Sequence, residues 1–192
     1  TSGSLPQALW GHTSQGVAPT VVDRLRSQVA GSSGICQTGR CRATAIALAF
    51  GQELDPAVRL AREQVASWLG LWVGIPEWRG DIRVAWVYRH DRVVGDQGPV
   101  WSKVTGRMAA TIATLQGYGW VARCPEVWID PDGGSWTVSA ADVRVSLPGV
   151  VAAFVAKRLW KVASLGWNGG GLSSGLDLSV SFVYHSYLRK AE

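Results

Sequence analysis

Residues 55–74, DPAVRLAREQVASWLGLWVG, carry the strongest helix signal in this chain. Asp55 is a suitable N-cap, and Pro56 follows at the first helical position, where its lack of an N–H leaves no helical hydrogen bond unmade. Arg59 and Glu63 stand four residues apart and can form an ion pair on the outer face. Apolar residues recur at helical spacing, and a glycine and a proline end the segment. These apolar residues are Val58, Ala61, Val65, Leu69 and Trp72.

Two shorter helices are predicted before this segment. The first runs over 21–30, with Thr20 as its expected N-cap and Asp23 in the capping-box position. The second runs over 42–50 and consists mostly of small apolar residues, so it can pack closely on several sides. The three helices make up the first predicted region, residues 1–75, which we expect to be helical.

Residues 76–100 are the least regular part of the sequence and are expected to form an irregular connector. Apolar and aromatic residues alternate with other residues from Ile82 to Tyr88, which is typical of a half-buried strand. A helical continuation fits the same stretch, so both alternatives stay open. The run Asp-Gln-Gly-Pro at 96–99 predicts a break in the chain.

The third region, residues 101–192, is predicted to contain both helices and a small hairpin. The run Asp-Pro-Asp-Gly-Gly at 130–134 stands between two β-rich segments and is typical of a hairpin turn. The predicted elements are a helix over 103–116 capped by Ser102, a hairpin over 127–138, a helix over 149–165 after Pro148, a glycine-rich link over 166–175 and a helix over 178–190. The fold class is therefore predicted as α+β and mainly helical, with a helical N-terminal half and a small α/β C-terminal half.

The composition restricts the classes of partner. Hydrophobic residues make up 47% of the chain and charged residues only 17%, so we expect a partner to cover part of the surface. The net charge of +5 favours nucleic acid, acidic lipid or an acidic protein. Eleven tryptophans suit either a core with polar edges or an interface, and the core is the more ordinary interpretation. No uncharged apolar run reaches about 18 residues, so no membrane span is predicted. Three cysteines, an odd number, argue against a secreted disulfide scaffold.

Several segments of the sequence share a resemblance to one family. Ala8-Leu9-Trp10-Gly11 reads as a strand end, Val21-Val22-Asp23-Arg24-Leu25-Arg26 as a Leu/Arg-rich helix, and residues 39–45 as a basic, alanine-rich run. This order resembles the region downstream of the palm in reverse transcriptases of non-LTR (LINE-like) retroelements from algal protists. Segments at 104–115, 128–133 and 175–180 extend the resemblance over most of the chain. It implies a thumb and connector region that contacts nucleic acid.

Residues for polymerase or ribonuclease H chemistry are missing from the sequence. Polymerases hold two metal ions with clustered carboxylates, and no Asp-Asp pair occurs anywhere in the chain. Residues 130–135 are similar to the first strand of ribonuclease H. However, the carboxylates that follow are only Asp142, Asp177 and Glu192, so the hairpin turn is the stronger interpretation. We therefore predict that the chain is not an enzyme.

No cofactor or metal ion is expected from the remaining motifs. Cys36 and Cys41 have a C-x₄-C spacing, and Cys124 with one histidine would give the four ligands that a zinc site needs. No second close pair supports this set, so ordinary thiols are the preferred interpretation. The three glycines at 169–171 lack the Lys-Ser/Thr of a phosphate loop and are interpreted as a linker.

The most distinctive charged feature is a cluster of four arginines, Arg24, Arg26, Arg40 and Arg42. In a polymerase thumb such residues would follow the template–primer backbone through salt-sensitive, sequence-independent phosphate contacts. A solvated helix face is the ordinary alternative.

Two functions stay open at the level of the sequence. One is a non-catalytic thumb/connector fragment that binds RNA or DNA by its backbone, in the nucleus or cytoplasm. The other is a non-enzymatic accessory subunit of a large protein assembly, for example a photosynthetic or ribosomal one in an organelle.

Overall fold

The computed structural model describes residues 11–34, 41–95, 97–138 and 141–165. Within these ranges, in chain order, the helices are α1 His12–Gln15, α2 Pro19–Ser32, α3 Arg42–Ala49, α4 Pro56–Gly74, α5 Arg79–His90, α6 Gly106–Gly117 and α7 Ala141–Leu165. A two-stranded antiparallel sheet, β1 Val127–Ile129 and β2 Ser135–Thr137, lies between α6 and α7. The mainly helical α+β fold with one hairpin in the C-terminal half is therefore confirmed. The predicted link over 166–175 and helix over 178–190 lie outside the described residues.

Helix α4 lies at the centre of the fold and packs against α1, α2, α6 and α7. Its predicted start is confirmed, because the Asp55 carboxylate accepts a hydrogen bond of 2.9 Å from the Ala57 N–H and Pro56 takes the first helical position. Apolar residues are buried on several of its sides, as a helix surrounded by partners requires. One core cluster joins residues of α4, α5, α6, β1 and α7, so both halves of the chain share it.

Four tryptophans form a continuous row through this core. Trp72 and Trp68 of α4 have ring centroids 6.4 Å apart, Trp68 and Trp86 of α5 are 4.6 Å apart, and Trp86 and Trp128 of β1 are 6.3 Å apart. The Trp86 indole N–H donates to the Ala122 carbonyl at 2.8 Å. The core interpretation of the tryptophans is thus confirmed for this row. Among the tryptophans that the structure describes, Trp78 is the exposed one.

The hairpin forms where the sequence predicts it. Trp128 and Trp136 face each other in the register of β1 and β2. The Asp130 carboxylate accepts hydrogen bonds from the backbone N–H groups of Asp132 at 2.9 Å and Gly134 at 2.8 Å, and from the Trp136 indole at 2.9 Å. Gly133 has a φ of 91°, a conformation that favours glycine. The turn chemistry read from the sequence is therefore confirmed.

Of the two alternatives for Ile82–Tyr88, the helical one is confirmed, and most of the connector that was predicted to be irregular is helical. Helix α5 covers Arg79–His90 and continues into a π-helical turn over Asp91–Gly95. Ile82 and Trp86 are buried whereas Val84 and Tyr88 are exposed. Residues 82 and 86 lie four apart, so an alternating pattern also places them on one helix face.

Three predicted helix starts are also wrong. Helix α2 begins at Pro19 after Ala18 and has no side-chain cap, so Thr20 and Asp23 form no capping box. Helix α6 begins at Gly106, and the Ser102 hydroxyl donates to the Pro99 carbonyl instead of capping it. Helix α7 begins at Ala141 and contains Pro148, which removes one helical hydrogen bond. Full burial of the neighbouring apolar residues offsets that loss. These residues are Leu147, Val151 and Val155.

Candidate nucleic-acid interface

The four predicted binding arginines have different environments. Arg24 is exposed on α2, and Arg42 is exposed at the first position of α3. Arg26 is buried, although the sequence interpretation left it free to meet solvent or phosphate. The prediction that Arg26 faces solvent is therefore wrong. Arg40 lies outside the described residues, as do Cys36 and residues 5–10 of the resembling segment.

Arg26 is held in a buried ion pair with Asp55. Its Nε donates to both carboxylate oxygens at 2.9 and 3.0 Å, and the two side chains are only 8% and 6% exposed. The same carboxylate caps α4, so the pair ties α2 to the N-terminus of the central helix. A carboxylate is also favourable there because the helix dipole is positive at that end. Arg26 therefore has a structural contact that accounts for its position.

Asp23 links the buried arginine to the exposed one. Its Oδ1 lies 3.9 Å from Arg26 Nη1 and 3.8 Å from Arg42 Nη1. Arg42 Nη1 also donates to the Asp23 carbonyl at 3.2 Å and to the Ser27 hydroxyl at 3.0 Å, which joins α3 to α2. Two of the three described arginines of the cluster, Arg26 and Arg42, thus face the carboxylates of Asp23 and Asp55. The cluster carries less excess positive charge than its sequence suggests.

A second set of surface arginines was not recognised in the sequence. Five exposed arginines form no ion pair with any described residue: Arg24, Arg62, Arg92, Arg123 and Arg158. By contrast, the exposed residues Arg59, Arg83 and Lys157 pair with Glu63, Glu126 and Asp132. Except for Arg24, the five lie far from the predicted cluster in sequence. Local spacing therefore gave no signal for them.

A cavity of about 240 Å³ lies between α1 and α2 on one side and α4, α6 and α7 on the other. Its floor contains buried apolar residues of α4, among them Leu60 and Ala61, together with the side chain of Gln64. Trp101 and Tyr118 contribute aromatic side chains to its walls. Exposed residues line it as well, including Pro19, Asp23, Gly117 and Arg158. It is a mainly apolar cavity with charged groups towards solvent.

Tyr118 stands among the charges around this cavity. Burial is the main cause that raises the pKa of its hydroxyl to about 12, and the negative charge of Asp55 acts in the same direction. The positive charges of Arg26 and Arg158 act against this increase. The hydroxyl therefore remains protonated at neutral pH and can donate a hydrogen bond into the cavity.

The hairpin carboxylate is engaged by its own turn. The hydrogen bond from the Trp136 indole is the largest cause that lowers the pKa of Asp130, and the backbone N–H groups of the turn add to it. Within the part of the chain that the structure describes, no three His, Cys, Asp or Glu residues form a group that could hold a metal ion. Cys41 and Cys124 are both free thiols.

Comparison with known proteins gives no match, so a function can be proposed only from the geometry described above. No family model, curated protein or solved structure matches the chain. Over the residues described, none of the helices combines the length and the apolar character needed to cross a bilayer.

Proposed function

We propose that the chain is a non-catalytic nucleic-acid-binding module, the thumb and connector part of a retroelement reverse transcriptase. It binds the phosphate backbone of an RNA–DNA duplex without polymerase or ribonuclease H chemistry. The observation that carries the proposal is the set of five exposed arginines without a described acidic partner. Arginine pairs well with phosphate through its planar fork of N–H donors.

Arg42 adds to this surface because its ion pair is weak. Its distance of 3.8 Å from Asp23 is long, and exposed pairs of this kind contribute about 0–1 kcal/mol. A phosphate can therefore replace Asp23 as its partner at little cost. Arg26 is not part of the binding surface, since moving it would leave Asp55 buried without its cation.

The proposal is tested by duplex affinity as a function of salt. Each neutralised phosphate contributes about 0.9 to the slope of log K against log salt. We expect Arg24→Ala and Arg42→Ala each to reduce that slope by about one unit, almost equally for all duplex sequences. Arg59→Ala is the matched control. Its side chain is 45% exposed against 44% for Arg42, but a 2.7 Å contact with Glu63 occupies it.

Two results would contradict the proposal. One is a duplex affinity that does not change with salt. The other is an affinity unchanged when the five unpaired arginines are replaced together by glutamine. Circular dichroism of every variant confirms that the fold is retained.

A second candidate function, a structural accessory subunit, is favoured by the outer face of α5. Val84 is 73% exposed and Tyr88 is 62% exposed, and Trp78 and Val87 lie beside them in sequence and are exposed as well. Apolar surface of this kind marks contacts with other proteins. If this function is right, the purified chain self-associates through that face. The double variant Val84→Gln, Tyr88→Gln then sediments as a monomer, while the arginine variants have no effect on duplex binding.

A further inference from the structure

We infer that the cavity between α1, α2, α4, α6 and α7 receives one unstacked base of a single-stranded nucleic acid, whose phosphate is bound by Arg158. This inference rests on the proposed function and assigns Arg158, one of the five unpaired arginines, to a base site in this cavity. Four features of the cavity carry it: its size, its fixed aromatic wall, its open polar groups and the charge at its exposed side.

The size of the cavity suits one planar group. Its volume of about 240 Å³ lies below the range of roughly 300–1,000 Å³ that encloses drug-sized ligands. Trp101 and Tyr118 are both in its lining, together with the aliphatic side chains of Leu60 and Leu159. Every base has a flat face that stacks on aromatic side chains, and such contacts contribute about 1–3 kcal/mol per base.

The aromatic wall is fixed before any ligand arrives. Gly16 has a φ of 70°, and a Cβ at that position would lie 2.8 Å from Cζ3 of Trp101 and 2.9 Å from the Cβ of Ala110. The indole of Trp101 therefore packs directly against a residue that has no side chain. Because the wall is held in this way, a base entering the cavity does not have to order it, which favours binding.

Polar groups that can read a base edge are present in the lining. The Gln64 amide nitrogen is engaged by the Thr13 carbonyl at 3.2 Å and by the Thr111 hydroxyl at 3.1 Å. Its amide orientation is thereby set, and its carbonyl oxygen forms no hydrogen bond with any residue that the structure describes. A base N–H can donate to that oxygen, and the Tyr118 hydroxyl can donate to a base acceptor.

The charge at the exposed side favours a phosphodiester. Arg158 is exposed and forms no ion pair with a described residue, while Asp23 also lines the cavity. The buried Arg26 also lies in the lining but pairs with Asp55, so Arg158 is the arginine of the lining that is open to the negative charge of a diester. The combination of an apolar, aromatic cavity and an unpaired arginine is thus matched by a nucleotide within a strand.

The test uses calorimetric titration of the full chain with dinucleotides. The probe is ApA, the matched base-free control is the same diester with abasic sugars, and adenosine is the phosphate-free control. We expect ApA to bind, the abasic diester not to bind, and adenosine to bind about tenfold more weakly, since a charge-assisted hydrogen bond contributes about one such factor. Arg158→Gln should reduce ApA affinity to that of adenosine. Arg83→Gln, at an exposed arginine that pairs with Glu126 and does not line the cavity, should leave it unchanged.

A second variant addresses the wall. Trp101→Ala should weaken binding of adenosine about tenfold or more, and a thermal melt with a retained transition shows that the variant is folded. Equal binding of ApA and the abasic diester would overturn the inference, because the site would then recognise an anion alone. Tighter binding of N-acetylphenylalanine than of ApA would overturn it in favour of a protein side chain. Absence of ApA binding while duplex affinity keeps its salt dependence would reject the base site and leave the proposed function standing. Binding of ApA without affinity for the duplex would reject the proposed duplex binding and leave the base site standing.

Discussion

Asp55 is the residue on which two helices depend. Its carboxylate caps α4 through the Ala57 N–H and neutralises the buried guanidinium of Arg26 from α2. Such an ion pair adds little stability compared with apolar residues in the same place. Removing one partner, however, leaves the other charge buried and unpaired, which is strongly destabilising. Asp55 therefore secures a specific junction of α2 with α4.

We expect Asp55→Ala to lower the free energy of unfolding by about 3–5 kcal/mol, because it leaves Arg26 unpaired in the core. Asp55→Asn keeps a capping oxygen and should be less destabilising. Arg59→Ala, which removes an exposed pair, should change stability by less than about 1 kcal/mol. Urea unfolding of the three variants measures these differences. Equal losses of stability in Asp55→Ala and Arg59→Ala would show that the buried ion pair contributes no more to stability than the exposed one.

The environment of Asp130 predicts that the contribution of the hairpin to stability is lost in acid. Its pKa is lower in the folded chain than in the unfolded chain, chiefly because the Trp136 indole donates to the ionised carboxylate. A carboxyl group shifted in this direction adds stability above its unfolded pKa, and the contribution disappears as the pH falls through the folded pKa. We expect Asp130→Asn to be less stable than the parent chain at pH 7, with the difference shrinking below about pH 4. Thermal melts from pH 7 to pH 2 test this. A difference that is constant across the series would contradict it.

The position of each arginine shows why only part of the candidate site is readable from sequence. Arg24 and Arg26 are two residues apart in one helix, so they lie on different faces, and helical spacing places Arg26, four residues after Val22, beside the apolar face. The burial of Arg26 depends on Asp55, 29 residues further along the chain. A charge cluster in sequence therefore indicates where cations concentrate but does not tell which of them reach solvent.

At the scale of elements, those with a cap and a clear period were predicted well. Asp55-Pro56 fixes the start of α4 because one residue supplies an acceptor and the other has the required φ. Thr20 and Asp23 had an equally suitable spacing, but Pro19 takes the first helical position of α2 and displaces them into the helix. Local signals compete in such a case, and the sequence alone does not rank them.

Helix α5 shows a case that the local pattern left open between strand and helix and that tertiary contacts decide. Its alternating apolar pattern suits a strand, but burial of Trp86 between Trp68 and Trp128 fixes it as a helix. Removing that side chain should therefore disconnect α4, α5 and the hairpin. We expect Trp86→Ala to lower the free energy of unfolding by about 3–5 kcal/mol. Trp78→Ala, on the exposed start of the same segment, should remain within about 0.5 kcal/mol of the parent chain. Denaturant unfolding of both variants measures these free energies. Similar losses of stability in the two variants would contradict the conclusion that the tryptophan row joins α4, α5 and the hairpin.

At the scale of the whole molecule, the helices on both sides of α5 share one core. Residues of α4 pack with residues of α5, α6 and α7 in that core, whereas α2 and α3 share a smaller apolar cluster of Ala30, Ala45 and Ile46. The predicted regions 1–75 and 101–192 follow changes in local sequence pattern, which do not report such long-range packing.

The shared core predicts a single cooperative unfolding transition. The elements that share this cluster lose their contacts together, and the Arg26–Asp55 pair joins α2 to α4, so different probes should give the same midpoint. Tryptophan fluorescence reports all the tryptophans, among them the four of the row, and none of them lies in α2 or α3, whereas far-UV circular dichroism reports all helices. We expect both signals to have the same urea midpoint in the parent chain. Asp55→Ala should move both midpoints down by the same amount, although the substitution lies far in sequence from the hairpin. Two separated transitions, or a shift of the dichroism midpoint without a shift in fluorescence, would mean that α2 and α3 unfold independently of the tryptophan row.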